Sequence, residues 1–140
     1  MKKEGGKTGR ILAVDLGLKR TGLAVSDELR ITTRALPILT PKSRAEDIAY
    51  LLALAHELEV GCILIGYPLL PQSGQEGPMA KRARGFYEAL KQKAPPDLEI
   101  FLVDESYTSH EASIRTGKNK QLDSESARIL IENFVHAQNH

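Results

Sequence analysis

The chain reads as an α/β protein: a mixed five-stranded sheet with helices on both faces. Three observations predict this. Three strand-like runs (RILAVD, TGLAVSD and ITTRALPIL) follow one another before any helical pattern, and strand-like and helix-like segments alternate thereafter. A third is the run CILIGYP, continuously apolar at its centre and closed by glycine and proline, as a central strand covered on both faces would be.

RILAVD is β-branched and apolar and ends at Asp15 and Gly17. The basic turn Leu18-Lys19-Arg20 leads into TGLAVSD, which makes the pair a hairpin. In ITTRALPIL, Pro37 cannot donate to a ladder, so this strand belongs at an edge. The period then changes. Ser43 and Glu46 have capping-box spacing, and Ile48, Leu51, Leu52, Ala55 and Leu58 recur at helical intervals. After CILIGYP, the stretch LLPQSGQEGP is a loop. MAKRARGFYEALKQK is a helix with Ala83, Phe86, Tyr87 and Leu90 on one side, and Gly85 its weak point. LEIFLVDE is the fifth strand, SHEASIR a short helix, TGKNKQL a basic loop and DSESARILIENFVHAQ the last helix.

The bulk numbers bound the function. A chain of 140 residues with 41% hydrophobic and 26% charged residues fits one domain with its own core, residues 11–140, behind a flexible arm over residues 1–10. The formal net charge of +1 gives no global field for nucleic acid, so any phosphate-binding surface must be local. No apolar run approaches the ~20 residues that cross a bilayer, and MKKEGGKTGR lacks the apolar stretch of a signal peptide. Cys62 stands alone in an apolar run. It reads as a small buried hydrophobe, which excludes an intrachain disulfide or thiolate zinc site and suits a reducing cytoplasm.

Three acids fall at chain breaks: Asp15 in AVDLG, Glu105 in LVDES and Asp123 in QLDSES. Carboxylates gathered in one cleft repel one another unless cations sit between them. Hard ions such as Mg²⁺ or Mn²⁺ prefer oxygen ligands and keep positions open for phosphate. The pattern therefore points to metal-assisted phosphodiester chemistry, with two ions ~4 Å apart bracketing the scissile phosphate. Each acid has a plainer reading: an Asx turn for Asp15, a solvated strand-end charge for Glu105, a helix N-cap for Asp123. Asp27 and Asp104 stay outside the ligand set; strand alternation puts Asp104 on the face opposite Glu105.

The motifs sharpen this. The element order, with an acid ending the first strand, resembles the ribonuclease H-like fold. AVDLGLKRTGLAVSD closely resembles the opening signature of the YqgF/RuvX family, described as Holliday junction resolvases and as nucleases maturing pre-16S rRNA. IGYPL with SGQEGPMA, VDESYTSHEA, and LDSESARILIENF are similar to its later motifs, in the same order. The resemblance implies a divalent-metal-dependent endonuclease, with Asp15, Glu105 and Asp123 as its catalytic acids and metal ligands. Three positions depart from the family pattern: Ser106 replaces an arginine, Leu70-Pro71-Gln72-Ser73 replaces an asparagine–aspartate loop, and Ser126 replaces a small apolar residue.

Lys19, Arg20, Lys118 and Lys120 border the three acids in sequence and are the candidate phosphate contacts. Lys81, Arg82 and Arg84, a third cluster at a helix start, read as a solvated helix face, though one within reach of an extended substrate. His110 has the chemistry of a proton shuttle, and His136 with His140 lacks a third zinc ligand. Aromatics at 5% disfavour recognition by base stacking. The expected partner is structured RNA or branched DNA, with no membrane. Symmetric cuts in a junction require a two-fold dimer, whereas trimming an RNA end needs only a monomer. Two other readings compete. One is a catalytically weak binding module of the same fold, motivated by Ser106 and the altered loop. The other is a sugar-kinase-like phosphate hairpin, which needs a second lobe that a chain without internal repeat does not supply.

Overall fold

The computed structural model describes residues 9–68, 75–104 and 122–138. Five strands form one sheet: β1 (Arg10–Asp15), β2 (Thr21–Ser26), β3 (Thr33–Leu39), β4 (Val60–Tyr67) and β5 (Glu99–Asp104), in the order β3-β2-β1-β4-β5. β2 runs antiparallel to both neighbours; β1, β4 and β5 are parallel. The helices are α1 (Arg44–Glu57), α2 (Pro78–Lys93) and α3 (Leu122–Gln138). The predicted short helix around SHEASIR lies outside the described residues, as do residues 1–8.

Alternation along the strands makes two cores. Leu12, Val14, Leu23, Ile63, Ile65 and Ile100 face α1 and α2, meeting Ile48, Leu51, Phe86 and Leu90. Ile11, Ala13, Ala24, Cys62 and Leu64 face α3, meeting Ala127, Leu130 and Ile131. Phe101 and Phe134 close the β5 side of this second core, with ring centroids 5.4 Å apart. β1 from Ile11 to Val14 is wholly buried between the layers, and Cys62 lies buried beside it. Burial pushes the Cys62 thiol up to about 11.

Local signals set the ends. Ser43 caps α1 as its spacing predicted: its Oγ accepts from the Glu46 amide at 3.1 Å and bonds Glu46 Oε1 at 3.0 Å. β3 is an edge strand, where Pro37 is tolerated. Asp27 turns the chain between β2 and β3, one carboxylate oxygen accepting the Ile31 and Thr32 amides at 2.7 and 2.8 Å. These bonds, the one from Thr32 foremost, hold its carboxyl below the usual range. Arg30 in this turn has left-handed backbone (φ 62°), and its guanidinium donates to the Gly9 carbonyl at 2.7 Å and to Gln138 at 3.2 Å. No helix among the described residues is long and apolar enough to cross a membrane.

Candidate nuclease site

Strand polarity decides which residues share a rim. β1, β3, β4 and β5 all end on one side of the sheet, at Asp15, Leu39, Tyr67 and Asp104. The β1–β2 turn lies at this rim, and so do the chain segments entering α1 and α2. Asp15 is half-buried there and pairs with Gly22 of β2.

Face matters as much as rim. Asp15 shares parity with Ile11 and Ala13, so it belongs to the α3 face. One step beyond the Val14–Ile65 pair stand Asp15 and Gly66, and Gly66 pairs with Val103 of β5. Gly66 has no side chain to fill the space between the first and fifth strands. Val103 packs on the α3 side, two residues before Glu105. Asp104 belongs to the other face and pairs with Tyr67. Glu105 itself lies outside the described residues.

α3 covers the face that carries Asp15. Its C-terminal end reaches Arg30 and, through it, Gly9, at the rim where β1 begins. Its polarity therefore points its first turn back toward the rim of Asp15. Asp123 is the second residue of α3, inside the first turn rather than before it, which replaces the N-cap reading; an acid there suits the helix dipole. The Asp123 side chain, Lys118, Lys120, His110, Ser106 and Leu70-Pro71-Gln72-Ser73 lie outside the described residues. Ser126 is buried in α3. His136 sits by Arg30, at the end of α3 far from its first turn.

The donor set suits a hard cation. Asp15 supplies a carboxylate at a strand end, and the other two candidate oxygen ligands come from the segment after β5 and the start of α3. No group of three or more His, Cys, Asp or Glu that could hold a metal occurs among the described residues, which omit two of the three candidate side chains.

The turn after Asp15 is built for close approach. A Cβ on Gly17 would stand 2.1 Å from the Arg20 carbonyl oxygen, so only glycine lets the turn close this tightly. Leu18, Lys19 and Arg20 project from it, exposed. Arg82 of α2 donates to the Gly17 carbonyl at 3.2 Å and ties this turn to α2. Glu76 accepts two bonds from Arg84, at 2.7 and 2.8 Å, and another from the Tyr67 hydroxyl. Arg84 first, then Tyr67, holds the Glu76 carboxyl below its ordinary range, while Glu76 pushes the Tyr67 phenol up.

Helical spacing alone predicts a solvated face for Lys81, Arg82 and Arg84 and gives no signal for Tyr67 or Glu76. In the structure Arg82 and Arg84 are braces beside the Asp15 rim. Strand–helix–strand polarity was the available signal, because it returns the start of α2 to the rim where β4 ends.

Comparison with known proteins agrees with this architecture. The family model described as "RuvX: Holliday junction resolvase" matches residues 9–137. A protein of Anaeromyxobacter dehalogenans named "Putative pre-16S rRNA nuclease" is 36% identical over 134 residues, covering 90% of this chain and 96% of that one. A Sulfurihydrogenibium protein of the same name is 36% identical over 133 residues, covering 90% and 89%. Among solved structures, Thermus thermophilus RuvC in complex with Holliday junction substrate matches with a TM-score of 0.58 at 12% identity, over 94% of this chain and 96% of that one. Fowlpox virus resolvase with Holliday junction DNA matches with a TM-score of 0.55 at 11% identity, over 94% and 99%. At such identities these two show the fold alone, which is ribonuclease H-like.

Proposed function

The chain belongs to the RuvX family, and from that premise we propose that it is a divalent-metal-dependent endonuclease acting on structured nucleic acid. The observation that carries this reading is Asp15. It ends the buried central strand, on the face covered by α3, at the rim where β5 leads into Glu105 and toward which the first turn of α3 points.

Asp15, Glu105 and Asp123 would hold Mg²⁺ or Mn²⁺. When bound, such ions polarise the phosphate, lower the pKa of water and stabilise the leaving oxygen. The chain's own groups do the remaining work. A rigid strand fixes the Asp15 carboxylate. The Gly17 turn lets a nucleic-acid backbone approach it. Lys19 and Arg20, exposed on that turn, neutralise flanking phosphates, and Lys118 with Lys120 are assigned the same role from sequence. No protein nucleophile is required.

Precursor 16S rRNA is the first-ranked substrate, because the curated relatives at 36% identity bear that name. Resolution of a four-way DNA junction is the second, favoured by the description of the matching family model. One assay tests the reading and ranks the two. End-labelled precursor rRNA and a four-way DNA junction are incubated in Mn²⁺ with the parent and with Asp15→Asn. Cleavage by the parent alone is expected, and the substrate that is cut decides between them. Equal cleavage by both proteins would overturn the assignment of Asp15. No cleavage by folded parent protein would favour a binding module of the same fold.

A further inference from the structure

Strand polarity gathers several cations at the Asp15 rim of this nearly neutral chain. The segments gathered at the Asp15 rim carry Lys19, Arg20, Lys42, Arg44, Lys81, Arg82 and Arg84 beside the acids Asp15, Glu46, Asp47, Glu76 and Asp104. The opposite rim carries Asp27, Glu28, Glu57, Glu59, Asp97 and Glu99 together with Arg10 and Arg30, and Lys91 and Lys93 stand at the far end of α2.

The acids of this rim are already engaged, Asp15 and Asp104 included. Glu46 bonds Ser43, Asp47 accepts the Lys42 amide at 3.2 Å, and Glu76 is held by Arg84 and Tyr67. Among the described residues Lys19, Arg20, Arg44 and Lys81 enter no ion pair. The start of α2 adds to the field: Gly77 offers no side-chain cap, and the first turn holds no acid. The guanidinium of Arg44 lies against Gly85, where an added Cβ would stand 2.8 Å from its terminal nitrogen, so α1 and α2 present their cations together. Arg82 joins this patch to the Gly17 carbonyl, two residues and at most about 7 Å of chain from Asp15.

We propose that the starts of α1 and α2 extend the substrate path. One duplex arm of a structured nucleic acid, presented to Asp15 for cleavage, crosses the rim at Gly17 and lays its backbone phosphates on Arg44, Lys81 and Arg82. The patch is cationic with no aromatic ring among those residues, which suits a stacked duplex read through its backbone rather than unstacked bases. The inference rests on the nuclease reading above.

The test measures binding by the full chain carrying Asp15→Asn, which holds substrate uncut. The probes are a four-way DNA junction and a hairpin-ended precursor-rRNA fragment, titrated from about 50 to 200 mM salt. Arg44→Gln with Lys81→Gln is compared with Lys91→Gln plus Lys93→Gln, an equal charge change at the opposite rim. Each lost phosphate contact lowers the log–log salt slope by about 0.9 and, at 0.1 M salt, the affinity by about eightfold. The rim pair should therefore lose nearly two units of slope and roughly fiftyfold in affinity, while the distal pair moves neither. Arg82 also holds the turn, so it is read by rescue: Arg82→Lys keeps the slope that Arg82→Gln loses. Equal effects from the two pairs, or none from the rim pair, would overturn the inference. If the parent still cuts in an Asp15-dependent manner, the nuclease reading survives that result. If the parent neither cuts nor binds, both fall together.

Discussion

Replacing Gly17 by alanine separates a steric demand of the turn from any need for backbone freedom. The added methyl would start 2.1 Å from the Arg20 carbonyl oxygen, and real Cβ contacts are not found under 3.0 Å. Because the obstacle is backbone rather than a flexible side chain, the turn must open by about 1 Å. Overpacking of this kind costs about 1–3 kcal/mol. For a chain of this size each kcal/mol shifts Tm by ~3 °C, so a fall of about 3–10 °C is expected. The same opening displaces Asp15, Lys19 and Arg20, and a 1 Å misplacement at a reacting centre costs on the order of 100-fold in rate. Urea unfolding and Mn²⁺-supported cleavage measure the two effects. Gly61→Ala is the control: its Cβ meets nothing nearer than the Arg10 carbonyl at 3.9 Å, and stability should hold within ~0.5 kcal/mol. A Gly17→Ala protein with parental midpoint and turnover within twofold would refute the claim that close approach in this turn sets the site.

Other outcomes follow from the same geometry. Asp15→Asn, Glu105→Gln and Asp123→Asn should each lower kcat by more than about 100-fold with the fold intact, measured by cleavage and circular dichroism; an active variant removes that residue from the ligand set. Cys62 should resist thiol reagents in the native protein and react once urea unfolds it, because burial raises its pKa to about 11; rapid native labelling would contradict its place between the layers. Glu76 has a lowered folded pKa, so its contribution to stability is present above the ordinary carboxylate range and fades as pH falls through the lowered value. Glu76→Gln should remove that acid dependence and return the Tyr67 phenol toward its ordinary range in an ultraviolet titration; an unchanged Tyr67 titration would mean the contact is not made in solution. Gly85→Ala should stabilise α2 by about 0.5–1 kcal/mol, because only the flexible end of Arg44 must move aside; a loss of stability by thermal melting would show that Arg44 cannot yield.

Much of the fold was legible in the sequence because local rules and tertiary demands agree. RILAVD, TGLAVSD and CILIG are apolar where two layers cover them, and Ser43 with Glu46 fixed the start of α1. Asp27, outside the expected ligand set, turns the chain at the opposite rim and accepts backbone amides there. What the sequence did not disclose is which surface residues meet. The solvated-face reading of Lys81, Arg82 and Arg84 treated α2 alone, and its exposed positions do look solvated. Their partners, the Gly17 carbonyl and Glu76, are determined by the crossover that carries α2 back to the end of β4. Lone polar residues such as Glu76 carry no periodicity, so pattern reading passes over them.

The three candidate carboxylates draw on the fold unequally. Asp15 is positioned by a central strand whose residues Ile11 to Val14 are wholly buried, and displacing it means distorting β1 against both neighbours. Asp123 belongs to a helix held mainly through Ala127, Leu130 and Ile131 on one face of the sheet. Local stability varies across a structure, and a helix docked on one face opens at lower free energy than a central strand. Weakening that docking would therefore uncouple Asp123 from Asp15 before the sheet itself unfolds. On the other face, the bond from Arg82 to Gly17 and the Tyr67–Glu76–Arg84 set tie the turn and the start of α2 to the strand ends. Those braces lie on the side opposite α3, so they steady the turn after Asp15 without depending on how α3 docks. On the proposed reading, Asp15 and its turn would form a fixed half of the candidate site, and the docking of α3 would complete it.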